Sequence, residues 1–208
     1  MPVFDQFAKL PGNHVRPKKV ESLINSTDND LIRETLAGNP HAFEGLVRRY
    51  QGRLLSAMVA VCGAIQEAED VVQEAFLQAF CKLDSFRSES RFYTWLYRIA
   101  FNLSVNMRRR KRPALALDHR NGPIQIDAAD HAPGPDEPLA QAERSEMVLN
   151  AIQRLPDEFR QVLVLRELEG FCYETIAEVL GLPIGTVRSR LHRARQQLKD
   201  ELQAWFAD

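Results

Sequence analysis

Cysteine is scarce in this chain, and so are glycine and long hydrophobic runs. The three cysteines, Cys62, Cys81 and Cys172, are an odd number at wide spacing with no C-x-x-C pair. That speaks against a disulfide or metal framework and favours small apolar residues in a reducing compartment. The five histidines also lack ligand spacing. The longest apolar stretch, Ala57–Ile65, is far short of the ~18 residues needed to span a bilayer. Met1 to Thr27 has no apolar core segment, and its Lys18–Lys19 pair comes late, so it does not read as a secretory leader. The expectation is a cytoplasmic protein without membrane insertion. Strand alternation is missing as well. What remains is ordinary globular composition, 45% hydrophobic and 26% charged over 208 residues, enough for one or two domains.

A net charge of −1 conceals strong segregation. Residues 113–143 hold six acids and one base. Arg108 to Arg112 is a run of five cations, and from Arg188 to Lys199 there are five cations and no acid. Two dense basic tracts in a near-neutral chain point to a polyanion met at two separate places.

Helical spacing runs through nearly everything else, so the fold expected is all-α. Residues 1–27, with three prolines, read as a disordered tail. Residues 113–137, acidic, Pro/Gly-rich and poor in large apolar side chains, read as a flexible linker. These leave two helical domains, 28–112 and 138–208. In the first, Asp28 and Asp30 favour a helix start and Gly38 a stop. Asn39 is placed to cap a second helix, with Pro40 at its first position. A third helix is expected at about 66–83 and a fourth at about 91–110, separated by the loop 84–90. In the second domain a helix should end before Pro156. Pro156 opens another that closes at Gly170, followed by a short helix 173–180, a turn Gly181–Leu182–Pro183 and a last helix from about Ile184.

That last unit has the layout of a helix-turn-helix, at 173–192 and beyond. Val187, Leu191, Ala194 and Leu198 make the inner stripe of its second helix. The outward face then collects Thr186, Arg188, Ser189, His192 and Arg193 near the amino end, where recognition helices meet base edges. Arg190 and Arg195 fall to the flanks, where phosphates are met. The plainer alternative is a basic, solvated helix in a bundle. On the third helix Glu67, Asp70 and Glu74 recur at i, i+3 and i+7 with Gln73 alongside. Like charges on one stripe cost helix stability, so the readings are a docking face for a basic partner, a solvated face, or a divalent-metal cluster. The fourth helix carries Phe92, Tyr93, Trp95, Tyr97 and Phe101, with Phe86 before it and Arg87, Arg91, Arg98 and Arg108–Arg112 interleaved. Rings that stack bases beside cations that hold the backbone suit single-stranded nucleic acid. Core packing accounts for the same rings.

Three stretches, AEDVVQEAFLQAF at 68–80, DSFRSESRFYTWLYRIAFN at 84–102 and LPDEFRQVLVLRELEGFCYETIAEVLGLPIGTVRSRLHRARQQL at 155–198, resemble the extracytoplasmic-function sigma factors of bacterial RNA polymerase, most closely the sigma-E-like kind. The resemblance runs from about Asp28 to the end. It implies a promoter-specificity subunit with two DNA-binding domains, region 2 at 28–112 and region 4 at 138–208, serving stress- or envelope-responsive promoters. Its implied partners are the polymerase core, through the β′ clamp helices and the β flap, promoter DNA, and an anti-sigma factor. Glu67, Asp70, Gln73, Glu74 and Phe76 would bind the core. Phe86, Arg87, Tyr93, Trp95, Arg98, Asn102 and Arg109 would serve the minus-ten element and its melting, with a base flipped into a pocket made by the loop 84–90. Thr186, Arg188, Ser189, Arg190, His192, Arg193 and Arg195 would serve the minus-thirty-five element. Two departures stand out. Ser88 replaces a Gly common in that loop. Cys172 and Thr175 replace the Ser and Glu of a capping box, so the short helix should be weakly capped.

No nucleophile–base pair, phosphate-cradling Gly loop or metal-ligand spacing is present. The chain therefore does not read as an enzyme, and no cofactor or metal is expected. Two other readings are a helix-turn-helix activator with an effector-binding front half and a metal-dependent nuclease. The first leaves the aromatic, cationic fourth helix unexplained, and the second would require magnesium-dependent cleavage.

Overall fold

The computed structural model describes residues 27–87, 90–111 and 137–205, and every regular element among them is helical. The expected tail and linker, apart from Thr27 and Glu137, lie outside the described residues, as does Ser88. The elements are α1 (Asp28–Leu36), α2 (His41–Cys62), α3 (Ile65–Cys81), a 3₁₀ turn (Leu83–Ser85), α4 (Phe92–Lys111), α5 (Glu137–Arg154), α6 (Asp157–Leu163) with a π-helical turn (Val164–Leu168), α7 (Tyr173–Leu180) and α8 (Ile184–Trp205). The described residues form two compact units, residues 27–55 with 70–87 and 90–103, and residues 56–69 with 104–111 and 137–205. Helices α2, α3 and α4 each contribute to both.

In the first unit Thr27 starts α1 with a capping box: its side chain accepts from the Asp30 N–H, and Asp30 reaches back to the Thr27 N–H. The sequence pointed to the acids here and missed the threonine. Asp28 then joins α1 to α2, accepting from the Arg49 guanidinium and the Tyr50 hydroxyl. Asn39 does not cap α2 with its side chain. That amide donates to Glu34, and the Asn39 carbonyl instead accepts from the Ala42 N–H at 3.1 Å. The core gathers on Phe43, which meets Phe76, Phe80 and Phe92 edge-on at 6.4, 5.2 and 6.4 Å between centroids. Such edge-to-face pairs each add ~1 kcal/mol beyond area burial.

In the second unit the end of α2 is closed by side chains. A helix leaves its last four carbonyls without intrahelical partners. Here Gln153 Nε2 donates to the Val59 and Ala60 carbonyls at 3.1 and 2.7 Å. Arg108 donates to those of Val61 and Cys62, and Arg160 to that of Val61. Gly63, at φ +82°, turns the chain directly beneath, where a Cβ would lie 2.6 Å from Gln153 Oε1. Arg160 also donates to the Gln153 and Leu155 carbonyls, both at 2.9 Å, so one guanidinium closes α5 across the Pro156 turn. Burial first, and then the charge of Arg108, lowers the Arg160 pKa, while Asp157 pulls it back up. Asp157 contacts both arginines, at 2.8 and 3.3 Å.

The single helix expected between Pro156 and Gly170 changes winding. Val162, Leu163, Val164 and Leu165 are all buried, more than one face of an α-helix presents. The Glu169 N–H reaches back five residues to the Val164 carbonyl. Beyond α7, Gly181 takes φ +64°, and the Leu182 N–H bonds to the Ala177 carbonyl at 2.9 Å, a Schellman stop. As expected of its departure from the capping box, Cys172 makes no side-chain cap to α7; its thiol lies 3.1 Å from the Thr175 hydroxyl.

Two outcomes follow from these contacts. Replacing Arg160 by Met keeps the apolar stem but strips buried carbonyls of a charged donor. The unfolding free energy in a urea titration should fall by about 2–4 kcal/mol. Burial, reinforced by Asp28, raises the Tyr50 pKa to about 12, against ~10 in an unfolded chain. The folded state thus prefers the protonated phenol, and this contribution is complete below pH ~10 and disappears as pH rises toward about 12. Thermal melts should place Tyr50→Phe below the parent at neutral pH, with the gap closing over that alkaline window.

Candidate nucleic-acid interfaces and docking face

On α3 the stripe Ala68, Val71, Val72, Ala75, Phe76 and Ala79 is buried, which turns Asp70 and Glu74 outward. Both are exposed, with Glu67 and Gln73 half-buried beside them. Gln78 donates to Glu74 at 2.9 Å. Phe76 is a correction to the proposed docking set. It is fully buried, because it falls one turn after Val72 on the inner stripe and packs on Phe43. Among the described residues no His/Cys/Asp/Glu group could hold a metal ion.

The aromatic helix divides sharply. Phe92, Tyr93, Leu96, Tyr97, Ala100 and Phe101 are buried. Tyr93 is therefore a second correction. It stacks on Tyr50 at 5.2 Å with the planes 30° apart, and the Arg53 guanidinium covers its ring at 4.2 Å. Trp95 lies off that stripe and stays half-buried. The 3₁₀ turn brings Phe86 back onto it: the Phe86 N–H bonds to the Leu83 carbonyl at 3.2 Å, and the Phe86 ring reaches 5.2 Å from Trp95. Phe92 forms the floor, 5.8 Å from both rings. Arg98 and Asn102, at i+3 and i+7 from Trp95, continue its face, Arg98 half-buried and Asn102 exposed; Arg87 is exposed. Arg109, further along α4, is exposed, whereas its neighbour Arg108 is committed to the end of α2.

The last helix keeps the two faces expected of it. Val187, Leu191 and Ala194 are buried and Leu198 is half-buried, while Arg188, Ser189, His192 and Arg193 are exposed and Thr186 half-buried. The Thr186 and Val187 N–H groups are satisfied by the Pro183 carbonyl, and Ser189 Oγ donates to the Thr186 carbonyl at 3.0 Å. The flanking cations are held internally. Arg190 pairs with Glu158 at 2.8 Å, and Arg195 with Glu167 at 2.6 Å. The Glu167 hydrogen bond raises the pKa of Arg195. Arg188 has a different neighbour: its guanidinium lies 5.7 Å from the centre of the Tyr173 ring, and that of Arg166 lies 5.0 Å from the same ring. Tyr173, Arg166, Glu158 and Glu167 carried no sign of this site in the sequence, because they meet α8 across 15 to 32 positions.

A helix-turn-helix with an exposed cationic face, in a chain that also carries a half-open aromatic cluster flanked by arginines, defines a helical DNA-binding protein of the transcription machinery. Comparisons with known proteins agree. Residues 46–113 match the model of Sigma-70 region 2, and residues 145–198 that of Sigma-70 region 4. The RNA polymerase sigma-H factor of Pseudomonas aeruginosa is 40% identical over 187 residues, covering 87% of this chain and 96% of that protein. The ECF RNA polymerase sigma-E factor of Escherichia coli K12 is 38% identical over 188 residues, covering 85% and 95%. Among solved structures, the sigma factor RpoE of Bartonella quintana, crystallised with the anti-sigma factor NepR, superposes with a TM-score of 0.64 at 26% identity, covering 77% of this chain and 96% of that one. CnrH, solved with the cytosolic domain of CnrY, gives 0.61 at 28%, covering 86% and 99%. The chain belongs to the extracytoplasmic-function sigma factors, promoter-specificity subunits of bacterial RNA polymerase that act in transcription initiation. Among the described residues no helix is long and apolar enough to cross a membrane.

Proposed function

We propose that this sigma factor directs core polymerase to stress- or envelope-responsive promoters, with region 2 at 28–112, a linker at 113–137 and region 4 at 138–208, behind a tail at 1–27. It works in the cytoplasm and catalyses no reaction of its own. Strand opening is driven by the binding energy of unpaired bases. Glu67, Asp70, Gln73 and Glu74 dock on the core at the β′ clamp helices, and region 4 meets the β flap. The half-open Phe86–Trp95 cluster, with Arg87, Arg98, Asn102 and Arg109, holds the non-template strand of the minus-ten element. Thr186, Arg188, Ser189, His192 and Arg193 read the minus-thirty-five element, and Arg190 and Arg195 meet its phosphates after leaving their carboxylates. An anti-sigma factor restrains the protein, a reading supported by the Bartonella quintana RpoE, which was crystallised with the anti-sigma factor NepR. The observation that carries this reading is the split of α8, with Val187, Leu191 and Ala194 buried and Arg188, Ser189, His192 and Arg193 exposed.

The test is run-off transcription with core polymerase and this protein on a genomic fragment library, where promoter-specific transcripts are expected. Absence of transcripts, or transcripts that start without regard to sequence, would overturn the reading. On a promoter found this way, Phe86→Ala and Asn102→Ala should bind as closed complexes but fail to open. Permanganate reactivity of promoter thymines should drop, and a premelted template should restore transcription. Equal failure on duplex and premelted templates would remove the melting role. Reversing Asp70 and Glu74 to Lys should weaken core binding at least about tenfold, the equivalent of ~1.4 kcal/mol, with thermal stability nearly unchanged because both side chains face outward.

A further inference from the structure

Arg188 is an outward-facing cation of the recognition helix that rests on a ring. Its guanidinium lies 5.7 Å from the centre of Tyr173, within the ~6 Å range of cation–π attraction. The ring is itself well placed. Tyr173 is the first residue of α7, half-buried, and α7 is anchored by Ile176 and Val179. Arg166, 5.0 Å from the same ring, is fixed by donating to the Phe171 carbonyl at 2.8 Å. The neighbouring Glu174 carboxyl is held below its usual pKa, first by its own backbone N–H and the Cys172 thiol, then by the charges of Arg188 and Arg166. The Tyr173 ring is thus the neighbour that Arg188 and the fixed Arg166 share. A free arginine surrenders ~2 kcal/mol of rotamer entropy when it is fixed on a base.

We infer that Tyr173 is a positioning residue for promoter specificity, holding Arg188 in the orientation from which it makes a two-pronged contact with a base edge. This rests on the reading that Arg188 contacts a base in the minus-thirty-five element. The ring carries the effect, so the hydroxyl is dispensable.

The experiment is selection of duplexes, randomised across the upstream element, by holoenzyme reconstituted from core polymerase and the full chain. Arg188→Ala identifies the base pair that Arg188 reads. Tyr173→Leu should reduce discrimination at that same base pair by roughly three- to tenfold and leave the other positions unchanged, while Tyr173→Phe should keep the parent profile. Tyr173→Gln serves as a second variant without the ring should Leu compromise folding, and transcription from a premelted template reports that each holoenzyme is competent. The inference falls if Tyr173→Leu and Tyr173→Gln weaken all sequences evenly or change nothing while Arg188→Ala still flattens one position. It falls also if Tyr173→Phe behaves like Leu, since the phenol oxygen would then be the working group. If Arg188→Ala flattens no position, the reading of Arg188 itself fails and takes the inference with it.

Discussion

Three carbonyl oxygens at the end of α2, those of Ala60, Val61 and Cys62, set a condition that the second unit is built to meet; the fourth, of Val59, already accepts from the Gly63 N–H at 2.9 Å. An α-helix ends with its carbonyls aimed away and unpaired, at the negative end of the helix dipole. Water would satisfy them at an exposed end. At a packed one the protein must supply donors, and it does so with one amide and two guanidiniums, from Gln153, Arg108 and Arg160. Desolvating a cation costs several kcal/mol, which the carbonyl partners offset only because they would otherwise be stranded. Two arginines this close repel, and the Asp157 carboxylate that touches both makes the arrangement tolerable. Gly63 follows from the same condition, since a side chain there would displace Gln153.

The two DNA-directed surfaces use the same residue types under different rules. In the first unit the rings are sorted by the helical period: those on the inner stripe of α4 build a core around Phe43, while Phe86 and Trp95 lie together and remain half-buried. The first face depends on a short turn bringing Phe86 onto a ring nine residues away in sequence. On α8 no rings intervene on the face itself. There the buried stripe of Val187, Leu191 and Ala194 fixes the rotation of the helix, and rotation alone decides which polar side chains point outward. A recognition helix of this kind is as accurate as its core, because a repacking that rolled it by one position would exchange readers for flanks.

The helices were readable in the sequence wherever apolar residues recurred at 3.6-residue spacing, which is why α7, α8 and the stop at Gly181 appear where expected. The readings that went astray did so for identifiable reasons. Phe76 and Tyr93 matched a family pattern, but patterns do not record burial, and both lie on inner stripes. Asn39 had the chemistry of a cap, yet the Ala42 N–H is met by its backbone carbonyl. The widening at Val164–Leu168 has no composition signature; it follows from four consecutive apolar residues all being enclosed. Nothing in the sequence marks Gln153 and Arg160, because their partners are backbone carbonyls 94 and 99 positions away, and a carbonyl leaves no mark in the sequence.

The glutamates beside the recognition helix alter how the protein behaves before it meets a promoter. Arg190 and Arg195 already hold carboxylates, so any polyanion must compete for them. An exposed pair of this kind is worth ~0–1 kcal/mol. That is small beside the gain from a correct sequence, yet comparable with a single phosphate contact on a random one. The internal acids therefore subtract nearly the same small amount from every encounter with a polyanion, which lowers affinity and leaves the ratio between sequences unchanged. A tract that looks uniformly basic in one dimension is, once folded, partly neutralised by carboxylates from elsewhere in its own unit.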